Sequence, residues 1–141
     1  MLAFLAVACA GLFAGAAVYI TFVEHPARVE CGAATALRQF APSYRRATRM
    51  QASLAVVGSA SALAAWLGGG GSTFFFAGVL LGAVVPFTLV VIYPVNGRLL
   101  DPGLAPTSAE ADELLARWGW LHAVRSVASV SAFVLELSSL I

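Results

Sequence analysis

The sequence predicts an all-α integral membrane protein, an antiparallel four-helix bundle, and three observations support this fold class. Of the 141 residues, 60% are hydrophobic and 11% are charged, and the mean hydropathy is +0.89. Apolar runs occur four times, each close to the roughly 20 residues that cross ~30 Å of hydrocarbon. The runs lack the alternation of barrel strands, and lipid does not tolerate unpaired backbone groups, so each run is expected to be a helix. A soluble globular protein is excluded.

The four predicted spans are about residues 1–23, 50–67, 73–95 and 119–141. We expect them to form one domain over residues 1–141. Small residues are frequent in the spans, which is typical of closely packed transmembrane helices. Gly11 and Gly15 have the spacing of a small-xxx-small contact face. A homo-oligomer is therefore considered as well.

Turn and capping residues mark the ends of the predicted helices. Residues 68–72 form a tight glycine-rich turn between the second and third spans. Pro42 is placed like a first-turn proline, so the second helix is expected to begin there. Thr107 and Glu110 have the pattern of a capping box, which starts the fourth helix near Ser108. The second and fourth helices should therefore extend beyond the membrane on the cytoplasmic side.

The distribution of arginine predicts the orientation in the membrane. The long connections at 24–49 and 96–117 hold seven of the eight basic side chains: Arg28, Arg38, Arg45, Arg46, Arg49, Arg98 and Arg117. Both connections lie on one side of an up-down bundle, and the positive-inside rule makes that side cytoplasmic and places both termini outside. We expect an integral protein of the bacterial inner membrane, in contact with the lipid bilayer. The net charge of +1 gives no reason to expect nucleic acid as a partner.

Polar residues at the ends of the spans are predicted to converge at the cytoplasmic face. They are His25 and Arg28 on the first helix, Tyr44, Thr48 and Gln51 on the second, Tyr93 and Asn96 on the third, and Trp118, His122, Arg125 and Ser129 on the fourth. Charge inside a bilayer is expensive and is generally turned inward. We therefore expect a pocket between the helices, wet at its mouth and apolar below.

Structural interpretations of these residues stay open. Interfacial packing would explain the aromatic members of the set. Helix capping would explain Asn96, and an ion pair with Glu24 would explain Arg125. Glu136, towards the outer end of the fourth helix, is expected to be interfacial and is assigned no role.

These motifs resemble the anthrone oxygenase-like family of small four-span membrane proteins. The resemblance covers nearly the whole chain and is carried by residues 24–28, 86–88, 94–99 and 118–125. It implies the four-span fold and, because fungal members oxidise anthrones to anthraquinones with molecular oxygen and no recognised organic cofactor, an oxygenase activity. The positions that match the family are His25, Arg28, Asn96, Trp118, His122 and Arg125.

The first hypothesis is a cofactor-free or weakly metal-assisted oxygenase that oxidises an anthrone-like or other activated hydrophobic aromatic with O2. His122 would take the proton from the substrate, and His25 would be a second base or proton shuttle. Arg125 and Asn96 would stabilise the resulting oxyanion. The expected substrate-binding residues are Trp118, Tyr93, Arg28 and Gln51. No cofactor is expected.

Two other hypotheses compete with the oxygenase. His25 and His122 could ligate a haem iron or another metal, since imidazole is a common ligand of both. The chain could instead be a non-catalytic membrane protein that binds or transports a small hydrophobic ligand. The sequence does not separate a ligand-binding pocket from a catalytic one.

Overall fold

Four long helices build the fold. The computed structural model describes residues 1–140, and its helices are α1 (Leu2–Glu30), α2 (Ala33–Leu67), α3 (Ser72–Leu99) and α4 (Ala109–Ser138). Each helix is long and apolar enough to cross a membrane, and no strand occurs within residues 1–140. The predicted all-α four-helix membrane bundle is confirmed. Helices α1 and α3 each pack against both α2 and α4.

All four helices are longer than the apolar runs that predicted them. Lengths of 28 to 35 residues correspond to about 42–52 Å, against ~30 Å of hydrocarbon. Helices α2 and α4 extend beyond their apolar runs as predicted, and α1 and α3 do so as well, because they continue as helix through their polar ends. The expected long connection at 24–49 is in fact a turn at residues 31–32, where Gly32 has a φ of 85°. Only a glycine adopts this φ readily.

Helix α2 begins well before the predicted position. Its first residue is Ala33, and Pro42 lies inside the helix instead of in its first turn. The segment between them is rich in alanine and contains leucine, arginine and glutamine, which are strong helix formers. Because these residues favour helix, α2 includes a polar segment that was predicted to be a connection.

Helix α4 begins where predicted, with a different cap. The N-cap is Ser108, whose Oγ accepts a hydrogen bond from the Ala111 backbone N–H at 3.2 Å. The prediction of a capping box formed by Thr107 and Glu110 is therefore wrong. The Glu110 carboxylate instead accepts hydrogen bonds from Arg98 at the end of α3, and this ion pair ties the loop at 100–108 to the bundle.

Helices α1 and α3 each contain one π-helical turn, Ile20–Glu24 and Thr88–Ile92. Each turn is followed two residues later by a proline, Pro26 or Pro94. A proline has no N–H and crowds the carbonyl four residues before it. In both helices that carbonyl belongs to the π turn, whose wider spacing accommodates the ring.

The π turn of α1 changes which face of the helix is buried. Buried residues recur every three or four positions from Ala6 to Ile20, and the next buried residue is His25, five positions on. Regular α-helical spacing would have placed Glu24 there. The inserted residue therefore turns the end of α1 and brings His25 and Arg28 to the inside of the bundle.

Helix α2 is closely packed at one end of the bundle and separated from α3 at the other. A Cβ on Gly58 would lie 2.8 Å from Cδ2 of Leu81 and 3.0 Å from Cβ of Cys9. Three helices therefore meet at this glycine. Helix α2 packs against residues 72–87 of α3 and separates from residues 88–99. This leaves a gap between α2 and α3 at the end of the bundle that carries most of the arginines.

Two residues at the opposite end differ from expectation. A Cβ on Gly11 would lie 3.0 Å from Cε2 of Phe133, so Gly11 packs against α4 and does not form an outward face together with Gly15. Glu136 is 0% exposed, and neither of its carboxylate oxygens has a hydrogen-bond partner in the described residues. The expectation that Glu136 is interfacial is wrong, because it lies on the inward face of α4.

We predict that Gly58→Val destabilises the bundle, since the added side chain must displace Leu81 or the backbone of α1. Overpacking of this kind costs about 1–3 kcal/mol. The measurement is the free energy of unfolding in detergent micelles. Gly15→Val is the matched control, because a Cβ on Gly15 meets nothing within 4 Å. Equal stability of the two variants would contradict the close approach at Gly58.

Candidate functional site

A cavity lies between the four helices at the end that carries most of the arginines. Its volume is about 250 Å³, close to the lower end of the ~300–1,000 Å³ that is typical of small-ligand sites. Its walls come from α1, α2, α3 and α4, and it reaches the gap between α2 and α3. The predicted convergence of the four polar helix ends is therefore observed.

Seven of the eight predicted site residues line this cavity. They are Arg28, Gln51, Tyr93, Asn96, Trp118, His122 and Arg125. Tyr44 and Thr48 line it as well, whereas Ser129 is buried deeper in α4. Tyr93 is 59% exposed and lies at the mouth. The eighth predicted residue, His25, lies outside the lining.

Trp118 is the centre of the packing around the cavity. Its ring centroid lies 4.8 Å from that of His122, at an interplanar angle of 24°, and 5.0 Å from that of His25. Phe40 meets it edge-on at 5.4 Å, and the guanidinium carbon of Arg28 lies 5.6 Å from its centroid. Side chains of α1, α2 and α4 therefore surround the indole, and much of its surface is already in contact with protein.

Two side-chain amides, those of Asn96 and Gln51, use their oxygen atoms for hydrogen bonds within the protein. The indole Nε1 of Trp118 donates to Oδ1 of Asn96 at 2.8 Å, and Nη2 of Arg125 donates to Oε1 of Gln51 at 2.8 Å. Indole and guanidinium groups only donate, so each amide must present its oxygen to them. The amide nitrogen of Gln51 is buried without a partner in the described residues. Both amides therefore retain N–H groups that no protein acceptor satisfies in the described residues.

Two guanidinium groups add positive charge to the cavity. Arg28 pairs with Glu24 at 2.5 Å, and Arg125 lies with its guanidinium carbon 5.4 Å from the ring centroid of Phe13. The expected ion pair between Glu24 and Arg125 is therefore absent. The Nε atoms of both arginines are buried and have no partner within residues 1–140. In the same residues, no Asp or Glu lines the cavity.

Glu24 connects α1 by hydrogen bonds to the part of α2 that is separated from α3. Its Oε1 accepts hydrogen bonds from Nε2 of Gln39 at 2.8 Å and from Oγ of Ser43 at 2.7 Å, besides the Arg28 contact. Both contacts with α2 are made by side chains. The carboxylate consequently holds the wall of the cavity that α2 provides.

His25 links α1 to α4 behind the cavity. Its Nε2 lies 3.1 Å from the carbonyl oxygen of Leu115 and must donate to it, because a carbonyl only accepts. A Cβ on Gly119 would lie 2.8 Å from this nitrogen, so the glycine is needed for the approach. The remaining ring nitrogen, Nδ1, is buried and has no hydrogen-bond partner in the described residues. His122 lines the cavity and His25 does not, and no group of three or more His, Cys, Asp or Glu side chains that could hold a metal occurs within residues 1–140.

Comparison with known proteins identifies the family. The family model described as anthrone oxygenase matches residues 40–135. The anthrone oxygenase tpcL of Aspergillus fumigatus is 34% identical over 113 residues, which cover 74% of this chain and 70% of the relative. The chain belongs to the anthrone oxygenase family. No solved structure matches it.

The family assignment made from the motifs is confirmed, and the match covers most of the site of this anthrone oxygenase family member. Residues 40–135 include the cavity residues of α2, α3 and α4, and the residues of α1 precede them. Several side chains around the cavity were not predicted: Thr21, Gln39, Phe40, Ser43 and Ser126. A hydroxyl inside an apolar run, as at Thr21 and Ser126, is the sequence signal that could have indicated two of them.

We predict that Trp118→Phe and Asn96→Leu are coupled in this family member. The single change at Trp118 removes the indole donor and leaves the buried Asn96 carbonyl unsatisfied, which costs about 1–3 kcal/mol. The double variant should be less destabilised than the sum of the single variants, by about 0.5–3 kcal/mol. The measurement is the free energy of unfolding in detergent.

Trp120→Phe is the matched control for this cycle. Trp120 is 77% exposed, so its replacement should change stability little and show no coupling to Asn96. Strict additivity of Trp118→Phe and Asn96→Leu would contradict the hydrogen bond.

Proposed function

We propose that this member of the anthrone oxygenase family is a membrane-embedded oxygenase that oxidises an anthrone-like or other activated hydrophobic aromatic with O2. The observation that carries the proposal is the combination of unpartnered N–H donors and two guanidinium groups in a cavity that no Asp or Glu lines in the described residues. Such a site favours an oxygen-centred anion. The anion of an anthrone has its charge delocalised onto the oxygen of its ketone group and matches this chemistry.

The substrate is proposed to enter from the lipid. The gap between α2 and α3 lies beside Leu89 and Tyr93, which line the cavity and are 62% and 59% exposed. An apolar side chain with this exposure in a membrane-spanning helix is suited to contact with acyl chains. A planar aromatic that partitions into the bilayer could therefore reach the cavity without passing through water.

His122 is proposed as the base. Its ring lines the cavity, and its Nε2 has no hydrogen-bond partner within residues 1–140. Removal of one methylene proton from an anthrone produces a delocalised phenolate-like anion. The donors of Arg125, Asn96 and Gln51 would stabilise the negative oxygen as it forms, and preorganised donors of this kind are effective in a site from which water is excluded.

The anion is electron-rich enough to reduce O2 directly. One electron passes to O2, and the resulting radical pair forms a carbon–oxygen bond at the former methylene carbon. Protonation yields a hydroperoxide, and loss of water with the second methylene hydrogen yields the carbonyl. The balance is one anthrone plus one O2 to one anthraquinone plus one water, so these steps need no additional reductant.

The remaining predicted site residues are proposed to support this chemistry. Trp118 would hold His122 by stacking and form one wall of the cavity, and Arg28 would add positive charge. Tyr93 would contact the substrate ring at the mouth. His25 would position Trp118 from outside the cavity. We also propose that the end with most of the arginines faces the cytoplasm, as the positive-inside rule indicates.

The test is oxygen uptake by the purified protein with an anthrone, after subtraction of spontaneous oxidation. His122→Ala should lower the rate by about 10²–10⁴-fold because the base is lost. Arg125→Gln should lower it by about 10²–10³-fold because the oxyanion loses its charged donor. Arg45→Gln is the matched control: this exposed arginine on α2 does not line the cavity, and the rate should be unchanged.

Thermal unfolding of each variant shows whether it remains folded. Full activity of a folded His122→Ala would exclude His122 as the base. Saturable binding of the anthrone by the wild-type protein without oxygen uptake would favour the non-catalytic binding function. A Soret band in the purified sample would favour a haem protein.

A further inference from the structure

His122 is held by two hydroxyl groups that the proposed reaction does not use. Oγ1 of Thr21 lies 3.1 Å from Nδ1 of His122 and 2.7 Å from Oγ of Ser126. Oγ of Ser126 also lies 3.2 Å from the backbone carbonyl oxygen of His122. The three contacts join α1 to α4 in a closed ring of hydrogen bonds.

The donors in this ring can be assigned from elementary hydrogen-bond chemistry. A carbonyl oxygen only accepts, so Ser126 must donate its single hydroxyl hydrogen to the carbonyl of His122. Thr21 then donates to Oγ of Ser126. The hydrogen of Thr21 is now used, so the contact between Thr21 and Nδ1 is a hydrogen bond only if Nδ1 carries the proton.

The opposite direction of donation, from Thr21 to Nδ1, forms fewer hydrogen bonds. If Thr21 donated to Nδ1, Ser126 would have to donate to Thr21, and its 3.2 Å contact with the carbonyl would contain no hydrogen. The first arrangement fills all three contacts. A neutral imidazole has one ring proton, so a proton on Nδ1 leaves Nε2 with a free lone pair.

The π turn of α1 provides the placement that this ring requires. Thr21 is the second residue of the turn Ile20–Glu24, at the point where the buried face of α1 shifts by one residue. Turns of this kind often occur at functional sites, because they re-aim individual side chains without ending a helix. Here the turn holds the hydroxyl of Thr21 opposite α4.

We propose that Thr21, with Ser126 as its acceptor, is a positioning residue that holds His122 in the Nδ1–H tautomer and keeps Nε2 as a hydrogen-bond acceptor at the cavity. Its importance for turnover rests on the proposed oxygenase function, whereas the tautomer itself does not. A base accepts a proton only through a nitrogen with a free lone pair. Thr21 therefore controls which nitrogen of His122 can react.

The tautomer is measurable by NMR of the full-length protein with ¹⁵N-labelled histidine in detergent micelles. A ring nitrogen without a proton resonates far from one that carries a proton, and couplings to the carbon-bound ring protons distinguish Nδ1 from Nε2. The chain has two histidines, so the signals that disappear in His122→Asn belong to His122. We expect the wild-type protein to show Nε2 as the unprotonated nitrogen.

Thr21→Val retains the shape of the side chain and removes the hydroxyl. The His122 signals should then move towards the other tautomer or a mixture, and Thr21→Ser should restore the wild-type pattern. Ser126→Ala should produce a smaller shift in the same direction. Thr73→Val is the matched control, because the hydroxyl of Thr73 contacts Ser139 at the other end of the bundle. An unprotonated Nδ1 in the wild-type protein, or an unchanged pattern in Thr21→Val, would overturn the proposal.

Oxygen uptake with an anthrone separates this proposal from the proposed function. Thr21→Val should lower kcat about tenfold or more with KM little changed, and Thr21→Ser should recover most of the rate. Absence of uptake in the wild-type protein, together with the expected NMR pattern, would contradict the oxygenase function and support the tautomer assignment. Normal uptake by Thr21→Val with an altered NMR pattern would show that this tautomer does not control turnover, and would overturn the role of Thr21 in catalysis.

Discussion

The indole of Trp118 is the group on which the structure of the cavity end of the bundle depends. All four helices touch it: His25 and Arg28 from α1, Phe40 from α2, Asn96 from α3 and His122 from its own helix. The backbones of α2 and α3 are separated here, so side chains must connect these two helices. A large rigid ring with one N–H donor can fill this space, because it contacts several side chains through its faces and edges and fixes the amide of Asn96 through its nitrogen.

The polar groups of the cavity have a common arrangement. Asn96 and Gln51 each direct the amide oxygen to a donor from α4 and keep the N–H groups free. Glu24 is the nearby acid, and its carboxylate is turned to Arg28 and α2. Unpartnered buried donors cost free energy in the empty protein. Under the proposed function, a ligand that supplies an acceptor recovers this cost, so the donors that lower the stability of the bundle would also favour an anionic ligand.

Much of the fold could be predicted because hydrophobicity over about 20 residues is a strong signal of a transmembrane helix. The convergence of Arg28, Asn96 and His122 followed from the connectivity of an up-down bundle. The polar segment at 24–49 could not be interpreted by hydrophobicity alone, since its alanine and arginine residues favour helix even outside lipid. The family assignment depended on short motifs, and these were specific enough to be confirmed.

The sequence pattern does not predict that the two histidines have different surroundings. Both lie near the ends of spans beside an arginine three residues on, and both contact Trp118. The π turn and the close approach of Gly119 direct His25 to a backbone carbonyl, whereas His122 faces the cavity. Such differences arise from a local insertion in the helical repeat, which sequence periodicity over a short polar segment does not resolve.

Under the proposed entry through the gap between α2 and α3, the bilayer is the solvent from which a ligand reaches the cavity. Occupancy of the cavity then follows the mole fraction of the ligand in the lipid, and its concentration in the surrounding water matters only through partitioning. Added lipid or detergent at a constant amount of ligand dilutes the ligand without touching the protein. An apparent affinity for this protein is therefore a property of the protein and its membrane together, and it acquires a fixed value only when the composition and amount of the lipid phase are stated.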